Sequence, residues 1–150
     1  MERDNLRFKQ RQAKCLINLA MERLMVKSPQ EWLKQADYDI KTAEIMFDNK
    51  RYFYAVFMCH LAIEKALKGI YLDRLKEIPP KTHNLVYLVE KIKLLLPENL
   101  YDSVFALNRV SVPTRYPDDI QRMLKDYNEE RTKKVIESGK EVLQWLKKQL

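Results

Sequence analysis

Three short stretches of this chain hold side chains whose types and spacing suit chemistry. In CHLAIEKALKG, His60, Glu64 and Lys68 recur every fourth residue, and Lys65 flanks them. On a helix, residues four apart lie above one another, so these three would form one polar stripe on a very apolar rod. Polar groups in such a place are costly unless they are paired or solvated. The stripe is therefore either a satisfied seam, with Glu64 bound to Lys68, or one wall of a cleft whose lysines meet an anion. In PPKTHNL, Thr82 is suited to cap a helix, with Lys81, His83 and Asn84 around its start. Unpaired backbone N–H groups and the positive end of the helix dipole make such a start apt for phosphate. Thr82 acting only as a cap is the plainer alternative. In VPTRYPDD, Arg115 offers a planar fork for phosphate or carboxylate. Tyr116 adds a stacking face and a hydroxyl, and Asp118 a carboxylate able to orient Arg115. Equally, Arg115 and Asp118 together pin the segment to the body of the protein.

Other chemistries are excluded by what the chain lacks. There is no H-E-x-x-H, no cysteine pair at metal spacing and no G-x-S-x-G. Two glycines, Gly69 and Gly139, cannot build a phosphate-cradling loop or a dinucleotide fingerprint. With His60 and His83 as the only histidines, general-base candidates are few. Neither a metal nor a cofactor is expected. Cys15 and Cys59 lie far apart on apolar stretches, which fits free thiols in a reducing compartment. The longest apolar run, Tyr52 to Cys59, is too short to span a bilayer, and the first residues carry no signal-peptide core. A cytoplasmic protein without membrane contact is expected. The net charge is +7, and residues 1–27 supply +4 of it through seven Lys/Arg against three Asp/Glu. A basic chain admits acidic partners such as RNA, nucleotides or an acidic protein face, as well as a simply soluble basic surface.

Helices must position these residues, because no strand pattern or repeat occurs. KSPQEW is a helix start, with Ser28 as N-cap, Pro29 at the first position and Glu31 at the third. Trp32, Leu33, Ala36, Ile40, Ala43, Met46 and Phe47 then recur at helical spacing up to DNKR. A second helix is expected over about 51–76, apolar on nearly every side and stopped by IPPK. A third begins at Thr82 and carries Leu85, Leu88, Val89, Ile92, Leu95 and Leu96 inward. Pro97 and Glu98 open a fourth, with Leu100, Val104 and Leu107 facing in. Val112 to Asp119 reads as a loop, with a short helical piece after it. A last helix starts at Asn128 and buries Val135, Val142, Leu143 and Leu146. Residues 1–27 form a basic N-terminal extension, amphipathic over 5–26 through Leu6, Ala13, Ile17, Ala20 and Leu24, either an extra helix or a lead-in to a domain at 28–150. The fold expected is all-α, an antiparallel bundle of about five helices with an optional N-terminal one.

Taken together and in order, AVFMCHLAIEKALKG, KTHNL and TRYPDD, followed by a final amphipathic helix, resemble the HEPN family (higher eukaryotes and prokaryotes nucleotide-binding). ADYDIKTAEIMF fits the family's opening helix through Asp37 and Ala43. The resemblance covers roughly residues 28–150. It implies a bundle of about five helices, often a homodimer, frequently paired with a small nucleotidyltransferase in a two-component or toxin–antitoxin-like system. Matched by motif, the polar positions to carry over as ligand-binding are Glu64, Lys65, Lys68, His83, Arg115, Tyr116 and Asp118. RNA-cleaving branches have an Arg followed by His after four to six residues. Here Arg51 precedes His60, and Arg74 precedes His83, by eight intervening residues each. The expected function is therefore a non-catalytic module that binds a nucleotide, a nucleotidyltransferase partner or both. The alternatives are a divergent metal-independent RNase using His60 or His83 with Arg115, and a dimeric scaffold with no small ligand. Because the second helix is apolar all round, a homodimer is expected to cover it.

Overall fold

The computed structural model describes residues 2–24 and 27–150, leaving aside the side chains of 2–4 and 22–24. Seven helices occur among them: α1 (Glu2–Leu24), α2 (Pro29–Asp48), α3 (Tyr52–Leu75), α4 (Leu85–Lys91), α5 (Glu98–Arg115), α6 (Ile120–Asp126) and α7 (Glu129–Lys147). No strand is present among the described residues. The fold is the all-α bundle that the periodicity predicts, with the extra N-terminal helix.

α3 is the axis of the bundle. Fourteen of its residues are buried, from Phe53 to Tyr71, and α2, α4, α5, α6 and α7 all pack against it. That arrangement explains why α3 is apolar on nearly every side: other helices of the same chain cover most of it, leaving Tyr54 exposed. α2 presents Ala36, Ile40 and Ala43 to it, and the two alanines let the long helices approach closely. α7 contributes Ile136, Val142, Leu143 and Leu146, and Val135 is only partly buried. A satellite cluster of Phe53, Val56, Met123 and Tyr127 fixes α6 across the start of α3.

Helix ends follow local chemistry. Ser28 Oγ accepts from Glu31 N at 3.1 Å, Asp119 Oδ1 from Arg122 N at 3.1 Å and Asn128 Oδ1 from Arg131 N at 2.9 Å. α3 ends at Leu75, ahead of the two prolines, because Lys76 takes a left-handed conformation with φ 55°. Lys50 and Lys93 do the same after the α2 and α4 segments, at φ 57° and 51°. With both glycines committed inside helices, lysines fill the turn positions where glycine is usual.

Three boundaries differ from the sequence expectation. α4 is capped by Asn84, whose side chain accepts from Tyr87 N at 2.9 Å, while Thr82 Oγ1 accepts from Asn84 N one step earlier. α4 also stops at Lys91, since the Lys93 turn breaks the pattern, so Ile92 and Leu94 are buried and Leu95 is 90% exposed. Finally, Val112 to Arg115 is not loop but the last turn of α5, with Pro113 inside the helix. Proline φ is helix-compatible, and what is lost is one bond to the Arg109 carbonyl. Thr114 Oγ1 and Ser111 Oγ donate back to Val110 O and Asn108 O at 2.6 and 3.1 Å, which knits the turn on either side.

α1 lies outside this packing. Every described side chain from Asn5 to Met21 is exposed, including Leu6, Phe8, Leu16 and Ile17. No described helix is long and apolar enough to cross a membrane.

Candidate functional site

Glu64 is the hub. It sits in mid-α3, 3% exposed, and both of its oxygens are used. Lys68 Nζ, one turn on, donates to Oε1 at 2.7 Å. His83, from the segment before α4, places Nδ1 at 2.9 Å from Oε2. A carboxylate only accepts, so Nδ1 carries the proton. Burial alone would raise the Glu64 pKa, but the hydrogen bonds from Lys68 and His83 outweigh it and hold the carboxyl below its ordinary value.

His60 completes the network from one turn earlier on α3. It is fully buried, and its Nε2 donates to the His83 backbone carbonyl at 3.0 Å. That bond fixes the tautomer, so Nδ1 is bare and lies 3.9 Å from Glu64 Oε2 without a hydrogen bond. Burial pushes the His60 pKa down to about 4, despite the nearby Glu64 carboxylate. His60 is thus a neutral strut. His60 and Glu64 together grip His83 by main chain and side chain, although the His83 side chain itself is 59% exposed.

Arg115, the last residue of α5, lays its guanidinium over the Phe57 ring of α3, 4.9 Å from the ring centroid. Its charge is close enough to His60 to help keep that ring neutral. Tyr116, the next residue, is 72% exposed. Asp118 is exposed and forms no ion pair with Arg115 among the described residues. Arg115 is aimed by helix and ring, not by that carboxylate. Lys65 turns away from the network altogether and pairs with buried Asp39 of α2 at 2.7 Å.

The structure therefore joins Glu64, Lys68 and His83 directly and brings Arg115 beside them. Tyr116 is exposed next to Arg115 in the chain, and Lys65 and Asp118 lie apart from the network. The helix-start phosphate site dissolves: α4 has seven residues, and its Leu85 and Tyr87 N–H groups are taken by Asn108 Oδ1 at 2.8 Å and Asn84. Three participants were missed from sequence. Asp39 had a signal, a carboxylate on the same stripe as Ala36, Ile40 and Ala43. Phe57 and Asn108 had none, since their roles arise only where α5 crosses α3 and α4. Asp37, the residue of the α2 motif, is half-exposed and held by Lys147 at 2.8 Å through both oxygens. Among the described residues, no group of three or more His, Cys, Asp or Glu is placed to hold a metal ion.

Comparison with known proteins agrees with this architecture. A search of curated proteins finds no match. The crystal structure of TT1696 from Thermus thermophilus superposes with a TM-score of 0.72 at 24% identity, over 81% of this chain and 98% of that one. ST0689, described as an archaeal HEPN homologue, superposes with a TM-score of 0.67 at 26% identity, over 82% of this chain and 98% of that one. The family model for the HEPN domain matches residues 29–149, which takes in α2 to α7 and leaves α1 outside. On that match, with the helical order and the solved relatives in agreement, the chain belongs to the HEPN family.

Proposed function

We propose that this HEPN domain is a binding module that takes a nucleotide, a small nucleotidyltransferase partner, or both, at the surface of His83, Arg115 and Tyr116. The observation that carries the reading is the division of charge around Glu64. The buried members, Glu64 and Lys68, neutralise each other, whereas His83 and Arg115 keep hydrogen-bonding capacity outward and are held in place from beneath. A guanidinium resting on an aromatic ring still presents its N–H fork to phosphate or carboxylate. The spacing of Arg and His, which departs from that of RNA-cleaving relatives, supports a non-catalytic role. A homodimer fits the same reading, because α5 exposes Tyr101, Phe105 and Val112 along one side, ahead of Tyr116. Isothermal titration with a nucleotide panel, with and without a nucleotidyltransferase, tests it. Arg115→Ala should weaken binding by about 1.5–3 kcal/mol, the range for a charged hydrogen bond. Its stability cost should be about 0.5–1 kcal/mol, as for a partly exposed cation on a ring. Absence of binding to every nucleotide and to the partner refutes the proposal.

One observation favours a second reading, RNA cleavage. Glu64 accepts a hydrogen bond from the Nδ1–H of His83, which in the neutral ring leaves the other nitrogen as the acceptor. Next to Arg115 that is the pairing needed to activate a ribose hydroxyl and steady a phosphate. His60 is unsuited to the part, being buried and bonded to a carbonyl. Incubation with tRNA and mRNA separates the readings: cleavage abolished by His83→Ala, in a folded variant, would replace the binding module with an enzyme.

A further inference from the structure

A cleft of about 600 Å³ opens between α5 and α7, and none of the Glu64 network lines it. It exists because Ser103 and Ala106 on α5 face Ser138 on α7, side chains too small for the two helices to fill the space between them. Its floor is apolar, built from Val56 of α3, Leu107, Val110, Val135 and the ring of Tyr127, where the main core meets the satellite cluster. Volume and lining are those of a small-molecule site.

The polar groups on its walls are selective. Ser103 Oγ donates to Asn99 O at 3.0 Å and Ser138 Oγ to Val135 O at 3.1 Å, so both hydroxyls have spent their protons. The donors left are the Tyr127 hydroxyl, which has no partner among the described residues, and two guanidiniums. Arg131 lies over the Tyr127 ring, 4.5 Å from its centroid, and gives one N–H to Asp126 O at 2.9 Å, which immobilises it while its other N–H groups remain. Arg109, from α5, is exposed and forms no ion pair among the described residues. Asp102 stands on the same lining and opposes a second negative charge. We propose that this cleft is a second binding site, for a small amphipathic monoanion: a flat apolar body on the Val56–Tyr127 floor, and one carboxylate, sulfonate or phosphate diester held by Arg109 and Arg131. A polyanion such as nucleic acid is disfavoured by Asp102.

The probe is 8-anilino-1-naphthalenesulfonate, a flat apolar body with one sulfonate, read by fluorescence titration of the native full-length protein. Its uncharged relative N-phenyl-1-naphthylamine is the control for charge. Saturable 1:1 binding is expected, with the neutral relative at least tenfold weaker. Arg109→Ala, an exposed change with no bearing on folding, should weaken the sulfonate about tenfold. Ala106→Trp, which fills the cleft, should abolish it. Arg115→Ala should leave it unchanged, which separates this site from the one proposed above. Absence of saturable binding, equal affinity for the neutral relative, indifference to Arg109→Ala, or an equal loss with Arg115→Ala would each overturn the assignment.

Discussion

At the scale of single residues, Glu64 shows how a buried charge is tolerated. It costs desolvation, and that cost is offset because Lys68 and His83 occupy both oxygens. Glu64→Ala would leave Lys68, 8% exposed, without its counter-charge. A loss of about 3–5 kcal/mol in urea unfolding is expected, as for removal of one partner from a buried pair. His60 sets a pH dependence. In the unfolded chain it titrates near 6.5 and in the fold near 4, so between these values the unfolded chain holds a proton that the native state does not. Stability is fully present above about pH 6.5 and falls as pH drops towards 4, at most by roughly 1.4 kcal/mol per unit for this one group. The depressed Glu64 acts in the same direction in the carboxylate range below it. Urea midpoints at pH 7.5, 6 and 5 should decline in that order, and His60→Gln should flatten the decline above pH 5. An unchanged slope in that variant would assign the effect elsewhere.

At the scale of elements, the contact of α3 with α7 depends on one missing methyl group. A Cβ at Gly139 would stand 2.1 Å from Cys59 Sγ, which is fully buried with its thiol pKa pushed up to about 12 by that burial. Gly139→Ala should therefore destabilise by about 1–3 kcal/mol through overpacking, despite alanine's better helix propensity. The added methyl lies 3.9 Å from the Cys59 Cβ, an ordinary contact. Cys59→Ala with Gly139→Ala should thus be less destabilised than the two single costs added, and strict additivity in thermal unfolding would contradict this packing account. α1 is the opposite case, an element with nothing of this chain over its described side chains. We infer that the self-sufficient domain begins near Ser28. Deletion of residues 1–24 should leave a cooperative transition with its midpoint within a few degrees of full length, and a molten or insoluble product would place α1 in the fold.

At the scale of the whole molecule, apolar surface sits where the sequence did not point. α3, expected to need a second copy to cover it, is covered over most of its surface by helices of its own chain. Outside α1, exposed apolar side chains gather along one side of α5, at Tyr101, Phe105 and Val112. A homodimer through that side is the expected solution state. Light scattering at micromolar concentration should give twice the chain mass, 36 kDa from 18.0 kDa per chain, and Phe105→Arg should give the monomer without lowering the melting temperature. A monomeric wild type removes the dimer from the proposal.

What the sequence determined by itself was local. Hydrophobic period, Ser28 and Asn128 as caps, and the four-residue spacing of His60, Glu64 and Lys68 depend on near neighbours, and a helix has one period to read. Motif order, carried by the same short stretches, was enough to point to the family whose model matches residues 29–149. Tertiary structure decided the rest, because each remaining feature joins residues far apart in the chain. It took the crossing of α5 over α3 to set Arg115 on Phe57 instead of on Asp118. Packing of α2 on α3 drew Lys65 to Asp39, and the segment before α4 brought His83 to Glu64 across nineteen positions. It also kept Pro113 helical: a proline's φ already suits a helix, and contacts on the buried face of α5, through Ser111 and Thr114, hold the turn that local rules would end.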